Sequence, residues 1–505
     1  MDNGKNLKWG VIFSYITMVV NLAVSVLYTP FLLGSLGQQQ YGLYNLGQSV
    51  VSYLGLAEFG FGNAVVRYAA KYRAEGRMNE TANLYGMFMR IYGVIAAGIF
   101  VIGTVICIFS DRFFVITTGA EGYRQLKVII MIMVVNLTFS FATQTYTSIV
   151  TAYERFAFLK ITNLIYILLK PAVMIPLLIW GYKAIALSLV TMALTMGLHI
   201  LNIYYVKKVL KVSINMKPSA FDKELFKEII GYSVFIFITA IVSQLNDNTD
   251  QLVLGAVTGE LAVAVYAVGF QLSSYIQQIP STVGGVLFPR VTAKVASGAT
   301  TKELSDAMLR TGRIQFFIAF LMCSGFALFG KEFVALWVGH DYSVAYWIVL
   351  VMVIPAMIPN IQTVGALIVQ AMNKHQFRAL ANLICAVLNV AASIPAAICY
   401  GPLGCAICTG VTTLLARGVL MNWYYKSKIG LDMIAFWKNI LGLLFKLLPV
   451  LLVGILLNWL IPVYSWGTII VKIFLYTACV LLWVLLVCAN PEERMLIRRK
   501  VVNTN

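Results

Sequence analysis

Six ionisable residues stand where a chain this apolar can least accommodate them. Arg90, Lys170 and Arg417 interrupt long apolar runs, and so do Glu58 and the two acids of Asn246-Asp247-Asn248-Thr249-Asp250. A Lys, Arg or Asp at the centre of a bilayer costs about 2.5–3.5 kcal/mol on insertion scales, so each needs a partner, a wet cavity or a task. Lys170 lies near the middle of its run. Arg90 and Arg417 lie about 9–12 Å from the nearer ends of theirs at 1.5 Å per residue, a distance that long side chains partly cover by snorkelling. Cations gathered in a low-dielectric cleft would hold an anion. Asp247, Asp250 and Glu58 could instead bind Na⁺ or H⁺, since desolvation makes a carboxylate easier to protonate. For the Asp pair an early helix end near the headgroups is the plain alternative, against which Leu252-Val253-Leu254 continues apolar. Glu58 could equally pair with a neighbouring basic residue. Arg67 and Arg290, at the inner ends of the second and eighth runs, are candidates for a cytoplasmic gate.

The elements that must position these groups are membrane helices. The 505 residues are 60% hydrophobic and only 11% charged, against about 25% charged in soluble domains. Runs of about 18 or more apolar residues, each long enough to cross about 30 Å of hydrocarbon, recur along nearly the whole chain. The fold class is therefore all-α and polytopic. The net charge of +18 does not indicate nucleic acid, because about 28 of the 38 Lys and Arg fall at the two ends and in alternate loops. That is the positive-inside pattern, and it puts both termini in the cytoplasm. The first run is read as a span, since no small-residue cleavage site follows it.

The chain also repeats itself. Leu33-Gly34, Tyr44, Gly47 and Ser52-Tyr53 return as Leu254-Gly255, Tyr266, Gly269 and Ser274-Tyr275. Further on, Gln144-Thr145, Asn163-Leu164 and Pro176 return as Gln362-Thr363, Asn382-Leu383 and Pro395, and Asn202-Ile203-Tyr204-Tyr205 as Asn422-Trp423-Tyr424-Tyr425. A shared offset over half a chain marks two related halves. About fourteen spans are expected, as two six-helix bundles plus two further C-terminal helices with no counterpart in the repeat. The boundaries fall at 1–208 and 229–428 for the bundles, 209–228 for a basic cytoplasmic connector, and 429–505 for the extra pair and basic tail. Six is even, so the bundles are parallel repeats about a central cleft, for which alternating access is the default mechanism.

Catalysis finds no support. His199, His340 and His375 lie far apart in sequence, no Gly-rich phosphate loop occurs, and no soluble segment is long enough for an ATPase. Cys405-x-x-Cys408 lacks a second pair or a nearby His and reads as small packing residues rather than a metal site. Neither enzyme activity nor a cofactor is expected. Lys446 and Lys472, in the last two spans, read as snorkelling anchors.

With these residues in place the chain resembles the Wzx-type oligosaccharide flippases of the polysaccharide transporter group, in the multidrug/oligosaccharidyl-lipid/polysaccharide flippase superfamily. The residues that carry the resemblance are Leu36-Gly37 with Tyr41-Gly42-Leu43-Tyr44, Tyr53-Leu54-Gly55-Leu56, and Glu58-x-Gly60-x-Gly62-Asn63-Ala64-x-x-Arg67-Tyr68. Asp250-x-x-x-Leu254-Gly255 followed by Tyr266 fits in the second half. The resemblance implies an undecaprenyl-pyrophosphate-linked oligosaccharide moved from the inner to the outer leaflet, with Arg90, Lys170 and Arg417 holding the pyrophosphate. It also implies membrane lipid as a partner, with polysaccharide assembly proteins beside it. A cation-coupled drug antiporter and a lipid II flippase share the superfamily, whereas a membrane-embedded glycan polymerase or acyltransferase would need a catalytic site on longer outer loops.

Overall fold

A computed structural model of the chain describes residues 3–217, 221–374, 376–463, 465–491 and 493; the side chains of 3–15, 232, 235 and 281–290 lie outside that description. Every regular element among the described residues is helical. In order they are α1 (Asn3–Leu54), α2 (Phe61–Ala74), α3 (Met78–Ile108), α4 (Ser110–Phe113), α5 (Gly119–Ala152), α6 (Phe156–Ile179), α7 (Ala184–Tyr204) and α8 (Lys223–Val257). There follow α9 (Glu260–Ala296), α10 (Thr301–Val338), α11 (Val344–Ile361), α12 (Thr363–Ala371), α13 (Gln376–Thr413), α14 (Met421–Tyr424), α15 (Met433–Leu460) and α16 (Trp466–Trp483).

Among the described residues ten helical stretches are long and apolar enough to cross a membrane, or eleven with the bent pair Lys223–Gly231 and Ile236–Val257. Two of the ten are far longer than one crossing needs, at 59 residues (Ile16–Ala74) and 54 residues (Gln376–Ile429), where about 20 suffice. Each breaks at a glycine that leaves helical geometry, Gly37 with φ 75° and Gly401 with φ 57°. A side chain there would be strained, which is why glycine holds both positions.

The chain divides into two compact units, residues 1–264 and 265–505. In the first, Tyr85, Phe88 and Tyr92 of α3 are fully buried against Phe61 and Tyr68 of α2 and Phe141 and Ile149 of α5. In the second, Phe316, Phe320 and Phe329 of α10 pack with Phe436, Ile440 and Leu447 of α15 and Tyr476 of α16. Lipid tails are as apolar as these side chains, so close packing and interhelical hydrogen bonds must hold such bundles together. The first unit extends past the connector because α8 packs on α1 and α2.

The internal repeat is also one of backbone geometry. Gly76 (φ 73°) and Gly298 (φ 75°) stand 222 positions apart and end helices in the same way. The N–H groups of 75, 76 and 77 bond to the carbonyls of 71, 73 and 72, and those of 297, 298 and 299 to the carbonyls of 293, 295 and 294. Glu154 (φ 56°) and Asn373 (φ 55°), 219 apart, are both left-handed without being glycine, a costly choice made twice at one place. The same offset relates two stacked ring pairs, Phe158–Tyr205 at 4.0 Å and Phe377–Tyr424 at 4.4 Å.

The opening turn of α15 does have a counterpart, contrary to the sequence expectation for the last two spans. Asp222 caps α8 by accepting the Leu225 N–H at 2.9 Å, and Asp432 caps α15 by accepting the Ala435 N–H at 2.9 Å. Beside the first cap lie Glu80, Asn83, Leu84 and Met87 of α3; beside the second lie Lys302, Ser305, Asp306 and Leu309 of α10, each 222 positions on. The start of α15 thus docks on α10 as the start of α8 docks on α3.

Candidate functional site

Glu58 sits at a deliberate break. After α1 a single 3₁₀ turn, Gly55–Glu58, leads to Phe59 (φ 51°) and Gly60 (φ 73°), both left-handed, before α2 begins at Phe61. The Glu58 carboxylate accepts a backbone N–H from Gly62 and the side-chain amide of Gln144 at 3.5 Å. It therefore caps the positive end of α2. A Cβ at Gly62 would lie 2.6 Å from Glu58 Oε1, so the spacing Glu58-x-Gly60-x-Gly62 is that of a capped restart. The expected basic neighbour is replaced, among the described residues, by an amide and a glycine N–H.

Lys170 lies on α6, which packs along α1, and donates a hydrogen bond to Tyr44. Tyr166, one turn earlier on α6, and Tyr28 of α1 stand near the same pair. The Tyr28 hydroxyl is buried with no partner among the described residues. Arg90, on α3, donates from Nε to the Gly86 carbonyl at 3.3 Å, and its guanidinium lies 5.8 Å from the Phe221 ring. Its Nη2 is buried and unpartnered. Arg417 belongs to the second unit, exposed on the π-helical turn Leu414–Leu420, with Arg378 and Tyr425 nearby. The three cations thus stand on three different elements, two of them in the first unit.

The Asp247 and Asp250 stretch is inside a helix. α8 continues to Val257, so the early end does not occur. Asp250 is 2% exposed and lies beside Tyr53, while Asp247 is exposed. Around Asp250 runs a polar seam that the sequence reading missed. Ser49 donates to Gln251 at 2.8 Å, Gln244 donates to Ser52, and Tyr53 hydrogen-bonds to Thr249. The signal was present in Ser49, Ser52 and Tyr53, polar groups at helical spacing that need partners within hydrocarbon.

A second unforeseen junction centres on Glu260, which is 0% exposed. Its carboxylate accepts the Thr117 N–H at 2.9 Å and the Thr117 hydroxyl at 2.5 Å, while the Val115 N–H bonds to the Gly255 carbonyl at 2.9 Å. The segment before α5 is thereby fastened to the turn between α8 and α9. Of the gate candidates, Arg67 is exposed with its guanidinium 5.8 Å from the Tyr68 ring, and Tyr68 donates to Glu228 at 2.9 Å. Arg290 lies outside the described residues at its side chain.

Two cations of the second unit are structural. Arg313 of α10, 6% exposed, donates to Glu493 at 2.7 and 3.0 Å, to Asn439 at 2.8 Å and to the Cys488 carbonyl at 3.0 Å. Burial acts to raise the Glu493 carboxyl, but Arg313 and the Asn490 N–H outweigh it and hold it below its ordinary range. Lys472, read from sequence as a snorkelling anchor, is 1% exposed and donates to Asn458 at 2.7 Å. Its ammonium lies 5.7 Å from the Phe329 ring, so it ties α16 into the bundle instead of reaching outward.

A family model described as Polysaccharide biosynthesis protein matches residues 7–295. The chain is 22% identical to "Uncharacterized membrane protein EpsK" of Bacillus subtilis (strain 168), with 96% of each chain covered. It is 20% identical to "Putative O-antigen transporter" of Shigella flexneri over 83% of this chain and 97% of that one. A solved structure of the lipid II flippase MurJ in an inward closed conformation superposes with a TM-score of 0.72, covering 94% of this chain and 97% of that one. At 14% identity that likeness is one of fold alone. The family match takes in more than half of the 505 residues, and the chain belongs to the polysaccharide biosynthesis protein family.

Proposed function

We propose that the chain is a flippase that moves an undecaprenyl-pyrophosphate-linked oligosaccharide from the inner to the outer leaflet of a bacterial plasma membrane. In this reading the helices make fourteen crossings with both termini cytoplasmic. The two long stretches broken at Gly37 and Gly401 each cross twice, and two six-helix bundles rock about a central cleft. The observation that carries the reading is Lys170, a cation deep in a membrane helix, hydrogen-bonded to a neutral tyrosine with no carboxylate partner among the described residues. Such a charge is stabilised when an anion joins it. Arg90, with an unpartnered Nη2, is a second contact for the pyrophosphate, and Arg417 is a third. Outward movement of negative charge is favoured by an inside-negative potential by about 2.3 kcal/mol per charge per 100 mV.

Asp250 and Asp247 on α8 and Glu58 at the head of α2 are the acids through which a Na⁺ or H⁺ gradient would act. Arg67 and Arg290 would stand at the cytoplasmic gate. Transport in a complementation assay is abolished by Lys170→Gln and partly kept by Lys170→Arg. Full transport by Lys170→Gln contradicts the reading. Transport that survives both Asp250→Asn and collapse of the two ion gradients removes the coupling.

A further inference from the structure

The site around Lys170 contains more than a lysine. Tyr28 precedes the Gly37 break by nine residues, Tyr44 follows it by seven, and Lys170 precedes Ile179, the end of α6, by nine. At 1.5 Å per residue all three lie about 10–14 Å from the turns at which their helices end, which brings them level. The contacts agree. Lys170 donates to Tyr44, and Tyr28 faces Tyr44. An ammonium has three protons to donate, and the structure gives this one a single tyrosine oxygen.

Tyr28 is the less expected member. Its hydroxyl is buried without a partner among the described residues, whereas buried hydroxyls in native proteins nearly always have one. A fold that needed only the ring would have no use for that oxygen beside a cation, where a phenylalanine would pack as well.

Building on the flippase reading, we propose that Tyr28, Tyr44 and Lys170 form one subsite for a phosphate group, in which Lys170 supplies charge, Tyr28 donates its free hydroxyl to a phosphate oxygen, and Tyr44 positions the ammonium. Tyr44 is a positioning residue, since its oxygen accepts from Lys170 and fixes the direction of the remaining N–H bonds. Lys170 and Tyr28 touch the anion. All three belong to the first unit, so the subsite exists whatever the second unit does.

The test is binding of farnesyl pyrophosphate, with farnesol as the control, to the purified full-length protein in detergent, alongside thermal unfolding. The wild-type protein binds the pyrophosphate and not the alcohol. Lys170→Gln abolishes that difference. Tyr28→Phe weakens binding about tenfold, the loss of one hydrogen bond to a charged group, without lowering the unfolding temperature, because it removes a hydroxyl that had no protein partner. Tyr44→Phe weakens binding and Lys170→Arg partly restores it in that background. Wild-type binding by Tyr28→Phe and Tyr44→Phe, with loss in Lys170→Gln, overturns the subsite and leaves the Lys170 reading standing. Equal binding of pyrophosphate and alcohol by the wild-type protein overturns both.

Discussion

Arg313 and Glu493 are 180 residues apart in sequence and make two hydrogen bonds, at 2.7 and 3.0 Å, with side chains 7% and 11% exposed. The pair joins α10 to the segment that follows the last membrane helix, and Asn439 brings α15 into the same junction. Removing one member of a buried pair leaves the other uncompensated and costs about 3–5 kcal/mol. Glu493→Ala therefore lowers the unfolding temperature of the purified protein sharply. Replacing Arg313 and Glu493 together by Met and Leu costs much less. Equal losses in the single and double variants contradict a paired role.

The same pair fixes a pH dependence. The folded-state pKa of Glu493 is held below its unfolded value, so its contribution is fully present above the unfolded value of about 4.3 and is lost as pH falls through the folded one. The gap in unfolding temperature between the wild-type protein and Glu493→Gln narrows as pH drops from about 5 towards 3. A constant gap over that range contradicts the assignment.

The break at Glu58 predicts a graded series. Glu58→Ala removes the cap of α2 and costs about 0.5–2 kcal/mol, as other N-cap losses do. Glu58→Asp keeps a carboxylate beside the helix start and costs less. Gly60→Ala places a side chain at φ 73°, a strain of about 1 kcal/mol or more. Thermal unfolding of the three variants checks the order.

How much of this was legible beforehand depended on range. Composition and periodicity are local, and they yielded helical spans, the positive-inside pattern and the repeat that returns at Gly76/Gly298 and Phe158/Phe377. The motif Glu58-x-Gly60-x-Gly62 was visible as a pattern, but its reason, a carboxylate capping a restarted helix, needs coordinates. Pairings between distant helices were not legible. Arg313 looked like one more inner-end cation, and nothing nearby in sequence points to Glu493. Lys472 looked like a snorkelling anchor because its partner Asn458 lies across a turn on α15. The α1–α8 seam also put the boundary between compact units after residue 264, beyond the connector that charge alone suggested.

The Glu260 junction predicts a conformational requirement. In the proposed topology Thr117 and Glu260 lie at the outer ends of their helices, and release of a headgroup outward requires that end to open. The pair Thr117→Cys with Glu260→Cys, oxidised to a disulfide, stops transport, and reduction restores it. Undiminished transport by the cross-linked protein shows that this junction stays closed throughout the cycle.

The most direct test of the central claim is the position of the lipid-linked glycan in cells that lack this chain. Undecaprenyl-linked repeat units are extracted after leaflet-selective labelling of a deletion strain, with the strain complemented by Lys170→Gln alongside. The account predicts that complete repeat units accumulate on the cytoplasmic face in both strains, and that the wild-type gene clears them. Absence of accumulation, with altered sensitivity to cationic drugs instead, contradicts it.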